Sequence, residues 1–300
     1  MYCRLALTSL LLAFGMASGV EAQQTRRPPT AEERAEQERR LREELASPRP
    51  IEAVNSVWID ELTWMEVRDQ IAAGRTTAIV STGGIEQNGP YLVTGKHNVI
   101  LRGTCEALAA RLGNALCAPV IAFVPEGSIE PKSGHMRYPG TISLREETYR
   151  MLLEDVAGSL RAHGFTEIIL IGDSGGNQSG LAATAASLNE KWKGTNAVAR
   201  YIPEFYEYDA VVKYMNEELG VVEPEDEGLH DSLWITALMM AVDPNSVRYD
   251  QRVAANRATI NGSSIAPGER TIELGRKLMA YRVAQTVRAI EAARMGAASR

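Results

Sequence analysis

Residues 78–99, AIVSTGGIEQNGPYLVTGKHNV, decide the fold of this chain. Ala78, Ile79 and Val80 run through Ser81 and Thr82 into Gly83 and Gly84, the pattern of a buried strand that ends in a glycine-rich turn. Glu86 follows, so the turn carries one carboxylate to the strand's carboxyl end. In open α/β sheets that edge is where ligands bind. His97 stands just before a helical pattern that opens at Val99, close enough to share a site with Glu86.

Working outward, strands and helices alternate. Thr63 and Glu66 have the spacing of a capping box and open a helix ahead of the first strand. A helix over 99–112, an apolar strand over 118–124, an amphipathic helix over 146–163 closed by Gly164 and a buried strand over 167–171 follow. This alternation predicts an α/β domain with a mainly parallel sheet flanked by helices. The strand over 167–171 feeds Asp173, Ser174, Gly175, Gly176 and Asn177, and a helix starts directly after. Such a turn presents backbone N–H groups suited to an oxyanion or a substrate carbonyl.

The run GGIEQNGPYLVTGKHN resembles the signature of the creatininase (creatinine amidohydrolase) family, roughly G-S-T-E-Q-H-G-P-H-L-P-x-G-x-D. Glu86, Gln87, Gly89, Pro90, Leu92 and Gly95 match it. Asn88 stands where the family has a metal-binding His, Tyr91 where it has His, and His97 where it has a bridging Asp. Tyr138 to Leu144, YPGTISL, is similar to the family's F-P-G-T-I-S-L, and the loop before it carries His135. Gly175, Gly176 and Asn177 match the family's N-G-H-G-G-N, with Ser174 in place of a metal-binding His and Asp173 beside it. The segment GLHDSLWITALMMAVDP is similar to H-A-G-x-x-E-T-S-x-M-L-x-x-x-P: His230 and Thr236 match, and Ile235 takes the place of a ligand Glu. The resemblance runs from about Trp58 to Pro244.

It implies a single three-layer domain and a metal-dependent amidohydrolase that cleaves a C–N bond, a cyclic or related amide, of a small molecule. The family uses two metals. Carboxylate and imidazole donors suit Zn or Mn, and Glu86, His97, Asp173 and His230 form a rearranged ligand set sufficient for one ion. Asp173 and His230 are the candidate general bases. His135, Asn88, Tyr91, Gly175, Gly176 and Asn177 are the candidate substrate contacts, and the family resemblance also implies a homohexamer.

Two alternatives stay open: a non-catalytic small-molecule-binding member of the fold, and a serine hydrolase with Ser174 activated by His230. The string G-D-S-G-G also resembles the nucleophile segment of chymotrypsin-like proteases. Those are all-β barrels with an A-A-H-C segment, and here the histidines lie in GKHN, SGHM, RAHGF and GLHDS.

The chain has 300 residues, 45% hydrophobic and 23% charged, with a net charge of −6. That is ordinary globular composition, and without a basic stripe it excludes nucleic acid as a partner. At the N-terminus Arg4 precedes an apolar run over 5–16, and Val20-Glu21-Ala22 forms a small-x-small cleavage pattern. Residues 1–22 therefore read as a secretory signal, and the apolar run is shorter than the roughly 20 residues a membrane span requires. The mature protein is expected to be secreted or periplasmic, with no membrane partner. Residues 23–50 form a polar linker whose Glu/Arg-rich centre can make a solvated helix, and the domain occupies 51–300. Residues 201–227, acidic and rich in tyrosine, are expected to form an exposed loop or lid. Cys105 and Cys117 sit in patterns typical of buried thiols; export permits a disulfide between them, although the chain is not a cysteine-dense scaffold.

Overall fold

The computed structural model describes residues 27–298. The expected signal peptide lies outside the described residues. Contacts divide the chain into two units, Met1–Pro48 and Arg49–Arg300.

In the first unit, α1 (Ala31–Ala46) has no buried residue. Thr30 caps it: its hydroxyl accepts from Glu33 N, and the Glu33 carboxylate accepts from Thr30 N at 2.7 Å. Arg39 and Arg40 pair with Glu36 one turn away, so the helix is held by its own charges and caps rather than by packing.

The second unit begins with α2 (Trp64–Ala72), opened by the capping box of Thr63 and Glu66. The strands β1 (Thr77–Thr82), β2 (Ala115–Cys117), β3 (Glu167–Gly172) and β4 (Val198–Tyr201) form one parallel sheet in the order β2-β1-β3-β4. Helix α3 (Lys96–Leu112) connects β1 to β2, α4 (Glu146–Ala162) leads into β3, and α5 (Gln178–Lys191) leads into β4. Ala78, Val80, Ile168 and Leu170 pack against Tyr149 and Leu153 of α4 and Leu181 of α5. Their neighbours Ile79, Ile169 and Ile171 turn the other way, onto Leu101 and Leu108 of α3 and Val283 and Val287 of α9 (Gly268–Ala298). Side chains alternate across a strand, so a sheet covered on both faces needs unbroken apolar strands, and β1 and β3 are buried at every position.

Beyond the sheet, α6 (Tyr208–Glu217) and α7 (Leu233–Val242) pack with α9 in a further apolar cluster. Helix α8 (Tyr249–Ala254) and a hairpin of β5 (Thr259–Ile260) and β6 (Ser263–Ser264) complete the unit. Among the described residues no helix is long and apolar enough to cross a membrane.

Three expectations are corrected. The strand expected over 118–124 is β2 at Ala115–Cys117; beyond it Ile121 and Val124 make single parallel bridges. Pro119 has no N–H to donate, so the ladder cannot continue through it. The helix expected from Val99 starts at Lys96, which draws Lys96 and His97 into a buried first turn. The stretch 201–227 is structured over its first half: Phe205 in a 3-10 turn and Val211 and Met215 of α6 are buried. Val211 and Met215 are four apart and form an apolar stripe that the acidic composition masks. Cys105 of α3 and Cys117 of β2, whose pairing the sequence left open, are disulfide-bonded, with Cα atoms 6.2 Å apart.

Candidate metal centre

After β1 the backbone folds back on itself: Glu86 N donates to Thr94 O at 3.0 Å, and Ile85 bridges Ile142. This sends the Glu86 carboxylate into the first turn of α3. Lys96 Nζ lies 3.1 Å from Glu86 Oε1, and His97 Nε2 lies 2.9 Å from the same oxygen. His97 Nδ1 lies 2.8 Å from Asp173 Oδ2. Asp173 Oδ1 accepts from Arg282 of α9, and Tyr208 donates its hydroxyl to the Asp173 carbonyl. Arg282, Asp173, His97 and Glu86 thus form one buried relay, none more than 3% exposed.

The charges in it fix one another. Burial disfavours the Asp173 carboxylate, yet the Arg282 guanidinium and the His97 bond hold it below its usual range. Burial also opposes a charge on His97; its bonds to Asp173 and Glu86 outweigh this and raise its pKa above the ordinary value. Each ring nitrogen faces a carboxylate oxygen, an arrangement that favours the charged form of the ring. Glu86 is held low against its burial by His97, Lys96 and His230. Burial lowers the pKa of Lys96, with Glu86 opposing the shift. Glu126 is the exception: burial first, then the Glu86 charge, push its carboxyl up to about 9.

Two further histidines face Glu86. His135 Nε2 stands 3.1 Å from Oε2, and His230 Nδ1 stands 3.6 Å from Oε1. Their rings stack at 4.8 Å between centroids. His230 sits in left-handed backbone, φ 62°, uncommon without glycine. Its neighbour Asp231 is buried in an ion pair with Arg252, which also donates to the carbonyls of Arg257 and Thr259. That pair, with the bond from His230 Nδ1 to the Gln87 carbonyl, anchors the strained turn.

These groups line a cavity of about 560 Å³ with Glu126, Ser174, Gly175, Gly176, Tyr206 and Trp234. Two glycines are required by close approach. A Cβ on Gly84 would lie 2.0 Å from Glu126 Oε1, and one on Gly176 would lie 2.2 Å from the Pro125 carbonyl oxygen.

Of the residues expected from sequence, Glu86, His97, His135, Ser174, Gly175, Gly176 and His230 line this cavity. Asp173 lies behind it, sealed by Arg282 and His97. Both nitrogens of His97 are bonded, to Glu86 and Asp173, and Asp173 is bonded to His97 and Arg282, so the donors that converge on the cavity are Glu86, His135 and His230. Asn88 turns inward, donating to the carbonyls of Glu86 at 2.9 Å and Val93 at 3.1 Å, and so shapes the loop. Asn177 ties the ends of β1 and β3 through the Thr82 and Gly83 carbonyls. Tyr91 lies outside the cavity, under the Arg252 guanidinium. Ser174 Oγ donates to Glu126 Oε2 at 3.4 Å rather than to His230. Lys96, Glu126, Tyr206, Tyr208 and Arg282 escaped the sequence reading. Arg282 had a signal, a charge inside the apolar stripe of Leu278, Met279, Val283 and Val287.

The family model for creatininase, creatinine amidohydrolase, matches residues 60–296. The chain belongs to the creatininase family. A creatinine amidohydrolase of Pseudomonas putida is 25% identical over 217 residues, 71% of this chain and 82% of that one. A solved Mn creatininase superposes with TM-score 0.53 at 24% identity, over 80% of this chain and 97% of its own. A creatininase variant described as Zn-Zn type gives TM-score 0.52 at 24% identity, again over 80% and 97%. These likenesses show that this creatininase-family chain has the fold of the solved creatininases.

Among the described residues, one donor set fits a metal ion. Glu86, His135 and His230 each offer a ligand atom, all within 4.8 Å of one another. One carboxylate oxygen and two imidazole nitrogens are the ligand chemistry of Zn or Mn.

Proposed function

We propose that this chain is a metal-dependent hydrolase cleaving a C–N bond, a cyclic amide or related amide, of a small molecule. One observation carries the reading: Glu86, His135 and His230 converge on a cavity of about 560 Å³ in a member of the creatininase family. A Zn or Mn ion held by these three would polarise the amide carbonyl and bring the pKa of bound water toward about 7. The cavity volume suits a small molecule.

The chain's own residues supply the rest. Gly175 and Gly176 bring bare backbone to the cavity wall, where N–H groups can receive an amide oxygen. Glu126 holds a proton at neutral pH in the protein alone and lines the same cavity, so it can deliver that proton to the departing nitrogen. Ser174 orients Glu126 by its hydrogen bond. The relay of Arg282, Asp173 and His97 fixes Glu86 and leaves Asp173 no route to substrate.

The test is steady-state hydrolysis of creatinine and a panel of five- and six-membered cyclic amides by Zn- or Mn-loaded protein. Glu86→Gln is expected to lose about 10²–10³-fold in turnover, the cost of removing one electrostatic contact in an active site. Ser174→Ala is expected to keep most of it. Abolition by Ser174→Ala with the ion retained would install the serine mechanism. Tight ligand binding without turnover would make the chain a binding protein.

Export belongs to the same proposal. It is supported by the Cys105–Cys117 disulfide, a bond that persists in oxidising compartments. Terminal sequencing of the exported protein should find Gln23 first. Native mass spectrometry tests the proposed homohexamer.

A further inference from the structure

Lys96 is 1% exposed, and a buried ammonium is costly unless it is paired. Its Nζ is 3.1 Å from Glu86 Oε1 and 3.4 Å from both ring nitrogens of His230. It lines the same cavity as the three candidate metal ligands. The charge therefore sits at the reacting space, not in the scaffold.

The two oxygens of Glu86 take different partners. Oε1 receives Lys96 and His97, while Oε2 receives His135 at 3.1 Å. A carboxylate that bridges two positive centres is the geometry of a two-metal site. Here one centre is a covalently attached ammonium. Lys96 and Arg282 already set two cations against the carboxylates of Glu86 and Asp173, with His97 hydrogen-bonded between the two. One divalent ion beside His135 and His230 adds to that balance; a second would have to displace Lys96. An ammonium has three donors. Glu86 takes one of them; the single acceptor nitrogen of His230 goes to the ion when one is bound, which leaves the other N–H groups of Lys96 to the cavity.

We propose that Lys96 is a resident cation in the place of a second metal ion: Glu86 bridges it to the single ion held with His135 and His230, and another of its N–H groups bonds the carbonyl oxygen of the bound amide. The inference rests on the metal-dependent reading above and concerns a residue that reading did not use. No bond to Lys96 forms or breaks; it holds charge and donates one hydrogen bond.

The experiment titrates Zn²⁺, and separately Mn²⁺, into apo wild type, Lys96→Met, Lys96→Arg and Lys96→Glu, reading stoichiometry by elemental analysis and affinity by calorimetry. Wild type and Lys96→Arg are expected to bind one ion per chain. Lys96→Met should bind that ion at least tenfold more tightly, because a like charge is gone, while kcat on an active amide falls at least tenfold with the ion in place. Lys96→Glu should bind a second ion. Two ions in wild type, or no gain in affinity in Lys96→Met, would overturn the role of Lys96 and leave the metal-dependent reading standing. An ion in Lys96→Met with none in wild type would overturn the proposal, which needs one ion beside Lys96, and metal dependence in the natural protein with it. No ion in any of the four would overturn both. Lys96→Arg keeps the charge and so guards against a folding defect in the other variants.

Discussion

His97 Nδ1 lies 2.8 Å from Asp173 Oδ2, joining the first turn of α3 to the end of β3 inside a wholly buried relay. The relay engages both nitrogens of His97, with Glu86 and Asp173, and both carboxylate oxygens of Asp173, with His97 and Arg282. It leaves Glu86 as the carboxylate that faces the cavity with its charge held in place.

Arg282→Met tests the far end of this relay. Removing the guanidinium leaves Asp173, which is fully buried, facing His97 alone. Breaking a buried ion pair from one side costs about 3–5 kcal/mol. Urea unfolding should show that loss with an unchanged m value. A loss under about 1 kcal/mol would mean that Asp173 is already satisfied without Arg282.

Glu126 should give the metal-free protein a pH signature. Its carboxyl is pushed up to about 9 in the fold, against an ordinary value of 4.5. Between those values the native state keeps a proton that the unfolded chain has lost. The contribution is fully present below pH 4.5 and is lost as pH rises toward 9. Glu126→Gln removes the effect, so the stability of the variant relative to wild type should climb across that window. The slope cannot exceed about 1.4 kcal/mol per pH unit. A difference independent of pH would show that the carboxyl ionises normally.

The Cys105–Cys117 bond closes a short loop between α3, which carries Lys96 and His97, and β2. Replacing both cysteines by serine should cost about 2–4 kcal/mol, read by denaturant unfolding under oxidising conditions. Reduction of wild type should reproduce most of that loss. If neither treatment moves the midpoint, the bond carries no stability.

The apolar strand at 78–80, the glycine turn and Glu86 were legible because a buried parallel strand has no polar face to blur its pattern. The helix around 146–163 was legible from its amphipathic pattern and the glycine that closes it. What escaped depends on distance in sequence. Nothing local distinguishes Lys96 from a solvated lysine until Glu86 is brought against it, and Glu126 is an ordinary loop carboxyl until the loop closes over Gly84. His97 was legible as a site residue but not in its role, because only Asp173 and Glu86 together occupy both its nitrogens.

The central claim is that Glu86, His135 and His230 hold one catalytic ion. The most direct measurement is elemental analysis with Zn²⁺ calorimetry on protein purified without affinity metal, beside the His135→Ala/His230→Ala double variant. The account predicts one ion per chain in wild type and none in the variant. No ion in wild type after reconstitution, or an ion undiminished in the double variant, would contradict it.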